Sequence, residues 1–286
     1  MNKEELLRIH SNSNSQEVVS LEKNKNEYYI CKKWKNVERG MKSIKKQINF
    51  DDIKASELVI RSPKVYSTLT NDNGYFEANM EYIHGHTGSE IAFNGNRNMS
   101  IGLRDALSLI MSINIEHSRA EEIPNTLFIS KIDEILNKQK TNDEILEMIK
   151  NLREKIIKQS FFRIPIGPCH GDLTLSNIII TETGSVNLID FLPTFIETPL
   201  WDIVKLYQDL HYGWSYRKEI GALKISAKIF FENCMPNLMK FFEDTWKDEI
   251  KIFDSLNLAR LSPYVKDKET EDWLTISLKN SLNQLN

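Results

Sequence analysis

Two patterns of apolar and polar positions divide the chain. Up to Met80 the apolar residues come in short alternating runs broken by polar turns. Gln16 to Leu21 and Tyr28 to Trp34 read as strands joined by a Lys23-Asn24-Lys25-Asn26 turn. Val65 to Leu69 and Phe76 to Met80 read as another pair, around an Asn71-Asp72-Asn73-Gly74 hairpin turn. Arg8 to His10 predicts a short strand ahead of the polar stretch Ser11 to Ser15, which is either a flexible loop or a nest of donors for phosphate oxygens. Asn49 to Ile60 predicts a helix. Asp51 and Asp52 stand near its start, where the dipole favours negative charge, and Arg61-Ser62-Pro63 ends it.

From Ser100 onward the period lengthens. Leu103, Ala106, Leu107, Ile110, Met111 and Ile113 recur at helical spacing and predict a core-facing stripe. Ser130 to Leu136 and Thr141 to Ile157 continue the trend, with Thr141 and Asn142 as candidate caps. Pro199 to Val204 opens another helix, and Gly221 to Asn286 reads as several more. One hairpin interrupts this helical half. Ile178 to Ile180 reads as a buried strand, Glu182-Thr183-Gly184 as a turn, and Val186 to Ile189 as the returning strand. A hairpin brings its ends together, so Asp190 is expected beside Asn177 and Asp172. Two carboxylates and a carboxamide are hard oxygen donors, a set that suits Mg²⁺ completed by substrate phosphates. The plainer alternative is a polar loop capping a hairpin.

Composition narrows the class. The chain has 286 residues, enough for one large domain or two lobes, and its 41% apolar and 27% charged content is that of a globular enzyme. A net charge of −3 gives no general attraction to nucleic acid or anionic membrane. No apolar run reaches the roughly 20 residues needed to span a bilayer, and the N-terminal residues lack a signal-peptide core. Cys31, Cys169 and Cys234 form no metal-ligand pattern and read as buried thiols of a cytoplasmic protein.

His170-Gly171-Asp172, followed by Asn177 and then by Ile189-Asp190-Phe191, resembles the catalytic loop and metal-binding motif of the aminoglycoside phosphotransferase and choline kinase family. That resemblance implies an α+β, bilobal protein-kinase-like fold, with a small antiparallel-sheet N-lobe over residues 1–80. A hinge over 81–86 and a larger, mainly helical C-lobe over 87–286 complete it. Gly171 stands where protein kinases carry Arg, which points to the small-molecule branch. The resemblance further implies that Asp172 is the catalytic residue, accepting or orienting the acceptor's proton. Asn177 and Asp190 would hold Mg²⁺ against the phosphates of ATP.

A strand lysine and a helix glutamate position the nucleotide in this fold. Alternation lets only one of the adjacent Lys32 and Lys33 point inward; the family pattern favours Lys32, and Lys33 stays open. Glu57, in the predicted helix, matches the glutamate. Met80 to Gly85 resembles the hinge, with the Glu81 carbonyl and Ile83 amide as adenine contacts. Asp202 resembles the family's helix-start aspartate, whose carboxylate accepts hydrogen bonds from the catalytic-loop backbone.

The implied reaction is an ATP- and Mg²⁺-dependent transfer of the γ-phosphoryl group to a hydroxyl of a small molecule. Candidate acceptors are a sugar, polyol or amino alcohol of surface polysaccharide synthesis. An aminoglycoside or choline/ethanolamine kinase is the alternative, and a nucleotide-binding pseudokinase scaffold is the alternative of another class.

Overall fold

The structure is a computed structural model and describes residues 17–24, 27–71 and 74–285. The expected strand Arg8 to His10 and the Ser11 to Ser15 stretch lie outside the described residues, as do parts of the first two turns. The chain runs β1 (Glu17–Asn24), β2 (Glu27–Trp34), α1 (Val37–Ile48), β3 (Ile53–Ala55), β4 (Leu58–Arg61), β5 (Val65–Thr70), β6 (Phe76–Glu81) and β7 (His86–Thr87). Next come α2 (Gly88–Asn94), α3 (Arg97–Glu116), β8 (Arg119–Pro124), α4 (Asn125–Lys138), α5 (Asp143–Ile157) and β9 (Phe161–Ile166). The remainder is β10 (Ile178–Ile180), β11 (Val186–Leu188), α6 (Leu200–Leu210), α7 (Gly221–Asn233), α8 (Met239–Thr245), α9 (Lys247–Ala259) and α10 (Lys268–Asn283). Two compact units result: residues 1–87 with 177–193, and residues 88–176 with 194–286. The α+β class holds, with antiparallel sheet dominating early in the chain and helix later.

The first unit contains two sheets. In one, strands run β1-β2-β6-β5, all antiparallel. Trp34, Ile44, Phe76, Ala78 and Met80 form a core between this sheet and α1. Contact is close enough to require glycine at position 40: a Cβ there would meet Phe76 at 2.7 Å and Trp34 at 2.9 Å. The other sheet runs β3-β4-β11-β10-β7. Its hairpin, β10 with β11, turns on Gly184 at φ 81° as the sequence predicts.

The helix expected over Asn49 to Ile60 is not formed. Its place is taken by β3 and β4, joined through Ser56 and Glu57, with Ser56 at φ 53°. The helix lies earlier, over Val37–Ile48, where the Asn36 side chain accepts from the Arg39 N–H at 2.9 Å and caps it. Pairing explains the difference. β4 runs parallel to β11, with Ile60 opposite Val186, and Ile60 is fully buried. A strand far downstream therefore outweighs the local apolar spacing.

In the second unit, α3 buries Leu103, Ala106, Leu107, Ile110 and Met111 along the expected stripe, while Ile113 is half-buried. Asn142 caps α5 by accepting from the Ile145 N–H at 3.0 Å. The antiparallel pair of β8 and β9, which the helical reading did not anticipate, encloses α4 and α5 in sequence. Helix α6 is buried on nearly every side and packs against α9. Among the described residues, no helix is long and apolar enough to cross a membrane.

Candidate functional site

In the first unit, strand alternation turns Lys32 inward. It is 5% exposed, whereas Lys33 pairs with Glu77 at 2.9 Å on the outer face. The Lys32 ammonium lies 2.9 Å from Asp190 Oδ1, 3.3 Å from Glu17 Oε2 and 5.1 Å from the Trp34 ring centre. Burial works against its charge, but the Asp190 and Glu17 carboxylates outweigh that cost and hold its pKa above the ordinary value. Glu17 also lies 3.5 Å from the Arg39 guanidinium of α1.

Asp190 has φ 61°, the left-handed region that non-glycine residues rarely adopt. Such a conformation costs about 1–3 kcal/mol and persists where the surroundings fix it. Here the fixing comes from α1: Ser43 Oγ donates to the Phe191 carbonyl at 2.5 Å, and Lys46 Nζ to the Leu192 carbonyl at 2.8 Å. At the other side of the hairpin, the Ile189 N–H donates to the Asn177 carbonyl at 3.0 Å. The hairpin thus brings Asn177 and Asp190 to its open end, as expected.

Glu57 is placed otherwise than expected. It sits in the exposed turn between β3 and β4, and the carboxylate that joins Asp190 beside Lys32 is that of Glu17 on β1. Without a helix at 49–60, the basis for pairing Glu57 with Lys32 is gone. Glu81 ends β6 opposite Tyr29, and its carboxylate takes two hydrogen bonds from Arg61, at 2.6 and 2.8 Å. Those bonds hold Glu81 below its ordinary pKa. Ile83 is buried beyond the strand end.

In the second unit, Asp172 sits on a loop held by one helix. Asp202, in the first turn of α6, accepts from the main-chain N–H of His170 at 2.7 Å and of Gly171 at 2.8 Å. Gly171 has φ 86°, a backbone state that glycine adopts without the Cβ penalty an arginine would meet. The Leu175 N–H donates to Asp209 Oδ2 at 2.8 Å. Between these anchors Lys205 donates its ammonium proton to Asp172 Oδ1. Residues 202, 205 and 209 are at i, i+3 and i+7, one face of a helix. Arg260, the C-cap of α9, brings a guanidinium nitrogen to 3.6 Å from the same Asp172 oxygen.

Asp209 is completely enclosed. Burial pushes its carboxyl up to about 6, against hydrogen bonds from Ser215 and Leu175, and the charge of Asp172 adds to the rise. The aromatic-rich residues 207–217, at the end of α6 and just beyond it, are tied to neighbouring side chains. Tyr207 donates to Glu243, Tyr212 to Asp254 at 2.5 Å, and Arg217 stacks at 3.6 Å over Trp214.

Sequence reading anticipated the Asp202 contacts but missed Glu17, Lys205, Asp209 and Arg260. A signal for two of them existed: Lys205 and Asp209 share a helix face with Asp202, amid the apolar residues of Leu200 to Leu210.

Comparison with known proteins places this geometry in context. A model of the phosphotransferase enzyme family matches residues 6–223. No curated protein sequence matches the chain. Among solved structures, a thermostable mutant of aminoglycoside phosphotransferase APH(4)-Ia, in a ternary complex with AMP-PNP and hygromycin B, is similar. It has TM-score 0.58 and 10% identity, covering 99% of this chain and 98% of that one. Choline kinase LicA from Streptococcus pneumoniae has TM-score 0.51 and 16% identity over 99% and 96% of the two chains. The amicoumacin kinase hAmiN, in complex with AMP-PNP, Ca²⁺ and Ami, has TM-score 0.54 and 13% identity over 95% and 87%. Identities this low establish a shared fold.

Proposed function

Because the chain belongs to the phosphotransferase enzyme family, we propose that it is a kinase moving the γ-phosphoryl group of ATP to a hydroxyl of a small molecule. In this reading the acceptor oxygen forms a bond to the γ-phosphorus as the bond to the β-phosphate oxygen breaks. Asp172 accepts the hydroxyl proton or orients it. Lys32 binds the α- and β-phosphates, and the Glu17 carboxylate holds its ammonium in place. The Glu81 carbonyl and the Ile83 amide are the adenine contacts. AMP-PNP in two of the similar structures supports ATP as the donor.

Asn177 and Asp190 fit a bound Mg²⁺. They offer a carboxamide and a carboxylate oxygen from the two ends of one hairpin, and Mg²⁺ takes few protein ligands alongside phosphate oxygens. When bound, the ion neutralises phosphate charge. The remaining contribution of the protein is placement. Phosphoryl transfer passes through a loose transition state, so holding the reacting groups in line provides most of the acceleration.

The observation that carries this reading is the Asp172 carboxylate on a loop whose backbone Asp202 fixes through two N–H groups. Transfer of labelled phosphate from γ-labelled ATP to a panel of small hydroxyl compounds tests it. Asp172→Asn should lower turnover by at least about 100-fold while Mg·ATP affinity stays within a few-fold. Retained turnover in that variant excludes the role of Asp172.

A further inference from the structure

Two cations crowd the residue proposed to receive the acceptor's proton. Lys205 Nζ and Arg260 Nη2 both lie against Asp172 Oδ1, the first hydrogen-bonded to it and the second at 3.6 Å. The three groups together carry two positive charges against one negative. The other carboxylates of this face, Asp202 and Asp209, are enclosed and turned to main-chain N–H groups of the loop. They do not give the acceptor an acidic wall.

The cations differ in setting. The Lys205 side chain is 2% exposed, so its ammonium is locked onto Asp172. The Arg260 side chain is 28% exposed and is braced from behind. Its Nε donates to Asn257 Oδ1 at 2.8 Å, and the buried Asn257 in turn donates to the Val204 carbonyl at 3.1 Å and to Gln208 Oε1 at 3.3 Å. A braced, partly exposed guanidinium has lost much of its rotamer freedom before any ligand arrives. Its fork matches a carboxylate or phosphate group.

We infer that the acceptor is an anion, a small hydroxyl compound that also carries a carboxylate or phosphate group, and that Arg260 recognises that group. The inference rests on the phosphotransferase reading and deepens it. It sets this chain apart from a kinase for cationic amines, because an ammonium beside Asp172 would meet two like charges. Lys205 then has a positioning role: it holds one oxygen of Asp172 and fixes the plane of the carboxylate.

The test uses the full-length protein with Mg²⁺ and γ-labelled ATP. Sugar phosphates and sugar acids form one acceptor set, neutral sugars and polyols a second, and amino sugars and amino alcohols a third. Product formation is followed by mass spectrometry. The expected result is turnover with members of the anionic set. Arg260→Gln should raise KM for the anionic acceptor by about 10- to 100-fold and leave KM for ATP within about twofold, and Arg260→Lys should recover part of the loss. Turnover with cationic or neutral acceptors alone overturns the inference. So does a change in Arg260→Gln confined to KM for ATP, which would assign the guanidinium to the donor phosphates. Absence of turnover with every anionic compound also overturns it. If Mg·ATP binding measured by calorimetry is then absent as well, the phosphotransferase reading falls with it; if binding persists, only the acceptor class does.

Discussion

Asp202→Asn probes the loop that presents Asp172. The wild-type carboxylate receives the N–H groups of His170 and Gly171 and lies 3.3 Å from the Asn114 amide nitrogen, all in a buried setting. Asparagine keeps one oxygen, so one main-chain N–H retains an acceptor. The other faces an NH₂ group and becomes a buried, unsatisfied donor. Losing a charge-assisted bond and leaving that donor costs about 2–4 kcal/mol. The loss should be local, because the bonds join one loop to one helix. Amide hydrogen exchange read by mass spectrometry on a peptide spanning His170 and Gly171 is the suitable assay. At 1.36 kcal/mol per decade, protection there should fall by roughly 30- to 1,000-fold. Peptides from α5 should change little, kcat should fall, and KM for ATP should hold. Unchanged exchange at His170 and Gly171 refutes the reasoning, because Asp202 would then not be what fixes the loop.

Glu17→Gln should raise KM for ATP several-fold by loosening Lys32, whereas Glu57→Gln, in an exposed turn, should leave it unchanged; steady-state kinetics with varied ATP separates the two, and the opposite ranking would restore Glu57. Burial raises Asp254, hydrogen-bonded to Tyr212 and Ser281, from its ordinary 3.8 to about 6. A raised carboxyl favours the protonated fold, so its stabilising contribution is complete below pH 3.8 and is lost as pH rises through 6. The difference is about 3 kcal/mol. Urea melts of Asp254→Asn should therefore lose less stability than wild type between pH 5 and 7.5, and an identical slope would count against it.

Legibility followed the range of the forces involved. Local alternation was enough to leave one of two lysines inward, and the structure buries Lys32. The hairpin over 178–188 was legible because its turn and both strands are contiguous. The helix expected at 49–60 failed because β4 is decided by β11, and no residue near Leu58 records that partner. Glu17 and Arg260 were invisible for the same reason: each reaches its counterpart across many residues, and an isolated Glu or Arg looks like any surface charge. Asp202 stood out through its place in a motif. Lys205 did not, although a lysine amid the apolar run of α6 needs a counter-charge, and Asp172 supplies it.

The five-stranded sheet has a consequence for how the chain is made. Its strands β3, β4 and β7 leave the ribosome early, but β10 and β11, which pair with β7 and β4, follow only after about 90 further residues, roughly 5–18 s later at ordinary synthesis rates. During that interval β4 and β7 have open edges, and an open edge invites pairing with other chains. A fragment ending at Thr87 would keep that condition permanently. Soluble expression of the first unit therefore calls for residues 177–193 to be spliced back, not for a cut at the apparent boundary.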